Sequence, residues 1–126
     1  MWTEICALEE LRPERAVAAL VGHPADGLAQ VAVVLLADGS LHCVGHYDPY
    51  SKANVIARGI VGTREVSGEV IPTITSPMYK QTFDLRTGDA LDDPDVGIGA
   101  WRVEVRDGTV GISGQLLPQR VGRRDG

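Results

Sequence analysis

The sequence predicts an all-β domain built as a small barrel or sandwich of antiparallel sheets, with little helix. Three observations favour this class: apolar runs are short, Asp-Gly dipeptides separate several of them, and no stretch keeps a long helical period. The chain has 126 residues and is 44% hydrophobic, which suits one folded domain with a substantial apolar core.

Composition also excludes several classes of function. The formal net charge of -5 disfavours binding to nucleic acid or to an anionic membrane surface, because both prefer basic proteins. The longest apolar run, residues 31–37, is far shorter than the roughly 20 residues of a membrane-spanning helix. Only Cys6 and Cys43 are present, and no secretory signal is visible. We therefore expect a cytoplasmic protein with reduced thiols.

The first elements are short and β-like. Residues 2–7 favour a packed sheet surface and predict the first strand. Pro13 argues against a helix over residues 8–15, because proline lacks the backbone donor that a helix needs. Residues 16–21 are apolar and predict a buried strand, and residues 23–27 have the composition of a turn.

The strongest local signal is the Asp38-Gly39 dipeptide, which lies between apolar runs at residues 31–36 and 41–44. Asp-Gly accepts the positive φ angles that tight hairpin turns require. The sequence therefore predicts a β-hairpin over these residues.

The segment that follows is rich in loop residues. A short helical turn is predicted between Ser51, which can cap its start, and Gly59, which can end it. Residues 63–68 are polar and predict a surface excursion. Residues 70–75 predict a strand, which Pro72 pushes toward a sheet edge because proline cannot donate to a ladder.

A second tight hairpin is predicted further along. Phe83 and Leu85 lie two residues apart and so share one strand face. Thr87-Gly88 supplies the turn, since glycine accepts positive φ without a Cβ clash. Residues 90–91 begin the return strand.

The last predicted elements form another hairpin. Residues 101–106 alternate apolar and charged side chains, as a strand buried on one face does. An Asp-Gly turn then leads into a return strand at residues 109–113. The composition shifts to Gly, Gln, Pro and Arg beyond this point, so we expect a domain at 1–113 and a flexible C-terminal tail at 114–126.

Part of the chain resembles the Rieske iron–sulfur fold, in which Cys-Pro-x-His precedes Phe-Asp-x-x-Thr-Gly. The matching segments are Ser76-Pro77-Met78-Tyr79 and Phe83-Asp84-Leu85-Arg86-Thr87-Gly88, with an earlier loop matching at Asp48-Pro49-Tyr50. A Rieske centre uses two cysteines and two histidines. The residues at those four positions here are Asp48, Tyr50, Ser76 and Tyr79. Oxygen ligands suit a thiolate-built cluster poorly, so we expect no cluster in this chain.

The segment His42-Cys43-Val44-Gly45-His46 is a candidate half-site for zinc, through Cys43 and His46 above all. On a strand, however, the two histidines would lie about 13 Å apart at roughly 3.3 Å per residue. Cys43 would also face away from His42. A strand that runs into a loop is therefore the favoured interpretation.

Four carboxylates, at Asp89, Asp92, Asp93 and Asp95, raise the question of a calcium site. Calcium loops place alternating oxygen ligands around a central glycine, and this spacing does not match that pattern. A solvated acidic turn is the expected structure.

Taken together, the motifs are similar to the small subunit of assimilatory NAD(P)H-dependent nitrite reductase. Besides the two loops, the resemblance includes Ala53-Asn54-Val55 and Arg58-Gly59-Ile60-Val61-Gly62, and it covers nearly the whole domain. It departs at residues 63–68, at residues 23–27 and in the tail. The resemblance implies a Rieske-like fold without cluster ligands, no catalytic centre, and a role in reducing nitrite to ammonium in nitrate assimilation. It also implies a large-subunit partner that carries FAD, an iron–sulfur cluster and siroheme.

Two interpretations of the former cluster loops stay open. The loops form a docking surface for the partner, through residues beside the ligand positions: Lys52, Arg58, Lys80 and Gln81. Alternatively, Tyr50 and Tyr79 plug the site and hydrogen-bond inward. The competing functions for the whole chain are a Rieske-like electron carrier, a stand-alone protein-binding module and a zinc protein.

Overall fold

A computed structural model describes residues 2–23, 27–78, 80–93 and 95–116. The strands in chain order are β1 (Trp2–Ala7), β2 (Arg15–His23), β3 (Gly27–Leu35), β4 (Leu41–Gly45), β5 (Tyr47–Asp48), β6 (Ala53–Asn54), β7 (Ile60–Val66), β8 (Glu69–Thr75), β9 (Thr82–Asp84), β10 (Ala100–Arg106) and β11 (Thr109–Leu116). Short 3₁₀ helices lie at Leu8–Glu10 and Ile56–Arg58. The predicted all-β class with little helix is confirmed.

The strands form three antiparallel sheets. A six-stranded sheet has the order β1-β11-β10-β4-β3-β2 and curves into a nearly closed barrel. A two-stranded ribbon joins β5 and β6, and a three-stranded sheet has the order β7-β8-β9. The two smaller sheets carry the loops that resemble the Rieske cluster loops.

The core is divided in two by the alternation of side chains along β3. Val31 and Val33 point into one apolar cluster with Val110 and Ile112, on the barrel side. Ala32 and Val34 point into a second cluster, which is shared with the three-stranded sheet. Because both faces of β3 are covered, its sequence is a continuous apolar run and not an alternating one.

The three-stranded sheet supplies further large side chains to the second cluster. Ile74 on β8 and Phe83 on β9 are fully buried in this cluster. Leu85, which comes directly after β9, is buried in it as well. Phe83 and Leu85 therefore share a buried face, as their spacing predicts. The predicted turn is also present: Gly88 has φ 81°, and a Cβ at this position would clash with the backbone of Gly99.

Residues 16–21 form a strand as predicted, but the prediction that it is buried was wrong. β2 pairs only with β3 and is an edge of the six-stranded sheet. Leu20 is 54% exposed and Val17 is 36% exposed, whereas Val21 is fully buried. The apolar run resembles that of β3, and local sequence does not distinguish an edge strand from a central one. The predicted turn at 23–27 falls mostly on residues outside the described part of the chain.

The predicted surface excursion at residues 63–68 was also wrong. These residues complete β7 and turn into β8 through Ser67-Gly68, which have φ angles of 52° and 83°. Two consecutive positive φ angles define the turn that matches the natural twist of a hairpin. One face of this strand lies in solvent and carries polar side chains, so the sequence pattern does not indicate a strand here.

Pro72 does not mark a sheet edge, because β8 is the central strand of its sheet. Pro72 pairs with Thr63 on one side, and on the other side its carbonyl accepts a hydrogen bond from Leu85 N–H at 3.0 Å. β9 ends at Asp84, opposite Thr73, so the missing proline donor falls just beyond the last residue of β9. A central strand therefore tolerates this proline.

The predicted strands at residues 2–7 and 101–106 are both present, and the return strand of the last hairpin continues to Leu116. The residues predicted as a flexible tail lie mostly outside the described part of the chain. Within the described ranges, no helix has the length and apolar character that crossing a membrane would require.

Candidate functional site

The site is the junction of two loops, one between β5 and β6 and the other between β8 and β9. They meet through their side chains: the hydroxyl of Ser76 donates a hydrogen bond to Oδ2 of Asp48 at 2.5 Å. Both residues are completely buried. The two loops that resemble the Rieske cluster loops are therefore in direct contact.

Asp48 is fixed by its own loop. Its Oδ1 accepts the Tyr50 N–H at 2.9 Å, and its backbone carbonyl accepts the Lys52 N–H at 2.7 Å. Short polar side chains commonly bond their own backbone two residues ahead in this way, which explains why the strand ends here. Each carboxylate oxygen thus has a defined donor, as burial of a polar group requires.

Ser76 is held in the same manner in the second loop. Its N–H donates to the carbonyl of Gln81 at 2.8 Å, which closes the loop. Its hydroxyl oxygen accepts the Met78 N–H at 3.3 Å while the hydroxyl hydrogen is directed to Asp48. The buried serine hydroxyl therefore donates one hydrogen bond to the first loop and accepts one from its own loop.

A [2Fe-2S] cluster does not fit these residues. The oxygens of Asp48 and Ser76 touch each other, so they do not flank a space that bridging iron could enter. They are also hard oxygen donors, whereas the cluster is built on thiolates and imidazoles. Among the residues that the structure describes, no group of three or more His, Cys, Asp or Glu side chains converges as metal ligands would. Tyr79 lies outside the described residues.

Tyr50 points inward from the first loop. Its ring packs against Phe83 with centroids 6.3 Å apart, and its hydroxyl donates to Oδ2 of Asp93 at 3.1 Å. Burial, followed by the bond to Asp93, raises the pKa of Tyr50 to about 12, so the phenol is neutral at physiological pH. The geometry therefore favours the interpretation in which Tyr50 fills the site and bonds inward over the one in which it contacts a partner.

His46, which the sequence indicated only as a candidate zinc ligand, has a structural role. It is buried, and its Nδ1 accepts the Ala57 N–H at 3.1 Å. Its backbone carbonyl accepts the Ile56 N–H at 3.1 Å, so one residue holds the second 3₁₀ helix in place. Burial and then the charge of Arg58 lower the pKa of His46. The contact spans eleven residues of chain, and no local pattern indicates it.

The candidate zinc residues do not converge. Cys43 is buried on the barrel side of β4, where burial raises the pKa of its thiol. His42 lies on the opposite face, with Nε2 3.3 Å from the hydroxyl of Ser40. His46 is occupied by the 3₁₀ helix, so the strand geometry expected from the sequence is the one observed.

The acidic segment is not simply a solvated turn. Asp89 is completely buried, and Asp93 accepts the Tyr50 hydroxyl. Asp92 pairs with Arg64 of β7 at 2.9 Å. The expectation was wrong for Asp89 and Asp93, because Asp89 is buried after the end of β9 and Asp93 holds Tyr50 of the first loop.

Three of the residues expected to dock a partner lie in the two loops that meet at the junction: Lys52, Lys80 and Gln81. Arg58 lies outside these loops, in the second 3₁₀ helix. Lys52 and Lys80 are exposed, and each follows the buried residue of its loop by four positions. Both have left-handed backbone angles, with φ of 59° and 62°. Arg58 is exposed at the end of the 3₁₀ helix that His46 holds, whereas Gln81 is half-buried. It is unusual for two lysines to adopt this backbone conformation, which favours glycine. The conformation restricts the directions in which their side chains can point.

Comparison with known proteins places the chain within one group. Residues 1–113 match the family model described as the Rieske-like [2Fe-2S] domain. A crystal structure described as an NADH-dependent nitrite reductase small subunit from Mycobacterium tuberculosis shares 42% identity with a TM-score of 0.78 and covers 89% of this chain and 93% of its own. The NADH nitrite reductase small subunit of Escherichia coli K12 is 29% identical over 114 residues, or 90% of this chain and 97% of that protein.

Another relative is much longer. The NAD(P)H nitrite reductase large subunit of Klebsiella oxytoca is 32% identical over 120 residues, which are 95% of this chain but only 12% of that protein. The ferredoxin–oxygenase complex of carbazole 1,9a-dioxygenase matches at 22% identity with a TM-score of 0.69, and this likeness concerns the fold alone.

Proposed function

Because this chain belongs to the Rieske-like [2Fe-2S] domain family, we propose that it is the small subunit of an NAD(P)H-dependent nitrite reductase. In this role it supports the reduction of nitrite to ammonium, during nitrate assimilation in the cytoplasm. The chemistry belongs to a large subunit that carries FAD, an iron–sulfur cluster and siroheme. The small chain is an accessory protein without a catalytic centre.

The relatives support this pairing with a large subunit in two ways. Proteins of nearly the same length as this chain are named nitrite reductase small subunits. In Klebsiella oxytoca, a segment similar to nearly the whole of this chain is part of the large-subunit polypeptide itself. A domain that occurs both as a separate chain and within the large subunit is well suited to act beside it.

The observation that carries the accessory role is the direct bond between Asp48 and Ser76. An electron relay needs a redox centre, and this position is filled by a buried pair of oxygens that does not fit one. We therefore propose that the chain carries no cluster and no other cofactor. The bond would then perform the mechanical task of a cluster, which is to tie the two loops together.

The same junction supports a docking role for the loop tips. Lys52 and Lys80 are exposed, one in each of the two loops that meet at the junction, on a chain whose net charge is -5. Met78, which is 53% exposed, lies between the buried Ser76 and Lys80. Methionine is enriched at the cores of protein interfaces, and polar residues surround such cores. We propose that the large subunit binds here through an acidic surface, with Arg58 and Gln81 at the margin.

Reconstitution tests the function directly. Nitrite-dependent oxidation of NAD(P)H by the purified large subunit is measured with and without this chain, and the small chain is analysed for iron and sulfide after anaerobic isolation. We expect higher activity with the small chain and no iron in it. Stoichiometric iron and inorganic sulfide would instead establish an electron carrier, and equal activity with and without the chain would refute the accessory role.

Charge reversal tests the docking surface. Lys80→Glu combined with Arg58→Glu should reduce co-purification with the large subunit, because two cations at the proposed surface become anions. Arg12→Glu combined with Arg102→Glu is the matched control, since both residues are exposed and the net charge changes equally. Equal loss in the two double variants would show a general charge effect and would remove the docking surface.

A further inference from the structure

The free edge of β7 has the features of a second interaction surface, which the proposed function does not use. β7 pairs with β8 on one side only. What this edge can bind depends on which of its backbone N–H and carbonyl groups point outward.

Two observations determine the direction of those groups. Val66 and Glu69 close a two-residue turn, so they form a hydrogen-bonded pair, and such pairs recur at every second residue. Pro72, opposite Thr63, directs its carbonyl away from β7 to Leu85. Both show that the even-numbered residues of β7 bond to β8 and that the odd-numbered ones face outward.

The outward residues are Val61, Thr63 and Glu65. Within the described part of the chain, none of their N–H or carbonyl groups has a hydrogen-bond partner. Thr63 and Glu65 are exposed and Val61 is half-buried, so the edge is accessible over most of its length. Beside them on the same strand, Ile60 is 70% exposed and Val66 is 40% exposed. An unpaired strand edge flanked by exposed apolar side chains is a template for another strand.

We propose that this edge binds a second copy of the chain, with the two β7 strands antiparallel and Thr63 on the two-fold axis. In this register Val61 lies opposite Glu65 of the other copy, and Thr63 lies opposite Thr63. The three outward residues then form three hydrogen-bonded pairs, which supply about six backbone hydrogen bonds. No other two-fold register centred on an outward residue uses all three of them.

The side chains agree with this register. Ile60 of each copy lies opposite Val66 of the other in a pair without backbone bonds, where side chains approach most closely. The two most exposed apolar residues of the strand are thus covered together. Arg64 faces Gly62, and the threonine pair on the axis is favourable across strands. An axis through Glu65 would instead place two carboxylates opposite each other.

A cysteine on the axis tests the register. Only the residue on a two-fold axis meets itself, so Thr63→Cys should form a disulfide-linked dimer under mild oxidation. Glu65→Cys is the matched control: it lies two residues away on the same exposed edge, and its counterpart is about 13 Å from it at roughly 3.3 Å per residue. Both are made with Cys6→Ser. Linkage of Thr63→Cys alone supports the proposal, and equal linkage or none overturns it.

A proline tests the backbone bonds without relying on a disulfide. Thr63→Pro removes an outward N–H that β8 does not use, so the monomer should fold, whereas Thr63→Val retains the N–H. In sedimentation at concentrations up to about 1 mM, we expect the proline variant to weaken self-association at least about tenfold and the valine variant to match the parent. A monomeric parent protein overturns the proposal, as does a proline variant that associates normally. A proline effect confined to large-subunit binding also overturns it, because the edge would then serve that partner.

Discussion

The barrel-side core and the loop junction are both fully buried, but they are held together by different forces. On the barrel side, Val33 of β3 packs apolar surface against Val110 and Ile112 of β11. At the junction, Asp48 and Ser76 form one hydrogen bond between two loops. The barrel is redundant, since many contacts share the stabilisation, whereas the junction depends on two side chains.

This difference predicts which substitutions each region tolerates. A core tolerates apolar replacements of similar volume, because dispersion and burial are not directional. A buried polar pair does not, because removing one partner leaves the other without the hydrogen bonds it had in water. Substitutions in the two regions should therefore lower the free energy of unfolding in different patterns.

The largest loss should come from the barrel-side core. Ile112→Ala should lower the free energy of unfolding by about 4 kcal/mol, because it removes buried methyl groups and leaves a cavity. Ile112→Val should cost only about 1 kcal/mol. Urea denaturation followed by fluorescence measures both. Similar losses for the two variants would mean that this core is not packed as described.

The junction should respond to identity more than to volume. Asp48→Ala should cost about 3 kcal/mol, because the Ser76 hydroxyl and the Tyr50 N–H both lose their buried acceptor. Ser76→Ala should cost about 1 kcal/mol, since Asp48 keeps one donor. The double variant should lose less than the sum of the two, and a double-mutant cycle in urea measures this coupling. Strict additivity would show that the two loops are not energetically connected.

The same contrast explains what the sequence predicts well. Strands with a core-facing pattern, such as β1 and β10, and the hairpin turn at Gly88 follow from local chemistry: apolar spacing and the backbone freedom of glycine. Whether a strand lies at an edge is not a local property, so the buried state of β2 and the edge position of Pro72 were both mispredicted. Polar side chains on β7 concealed its strand for the same reason.

The site is predictable only in part. The ligand positions and their lack of thiolates can be seen in the sequence, but the partner that Asp48 takes is 28 residues away. His46 likewise bonds to Ala57, eleven residues further along the chain. Contacts of this kind depend on how two loops pack, and hydrophobic periodicity carries no information about them.

Acid should weaken the loop region through His46. Its pKa is lowered in the folded protein from an ordinary value of 6.5, so below that pH the unfolded chain binds more protons and stability falls. His46→Asn keeps an acceptor for the Ala57 N–H but does not titrate. Between pH 7 and about 5.5, this variant should lose less stability than the parent, as measured by thermal unfolding.

His42 provides the comparison on the barrel strand β4. Burial lowers its pKa as well, so His42→Asn should flatten the same part of the pH profile. The two substitutions should add when combined, because the histidines lie in different elements and share no bond. An unchanged pH profile in the double variant would mean that other groups control the acid sensitivity.

The smallest effect should appear at the loop tip, where Lys52 has a φ angle of 59°. Lys52→Gly should raise the free energy of unfolding by about 0.5 kcal/mol, because relief of the left-handed strain slightly exceeds the added entropy of the unfolded chain. Lys52→Ala keeps the Cβ, so it should show no such gain. Both variants remove the charge and should weaken binding to the large subunit equally. If only the glycine variant binds less tightly, the partner depends on the fixed backbone of this loop and not on the cation that it carries.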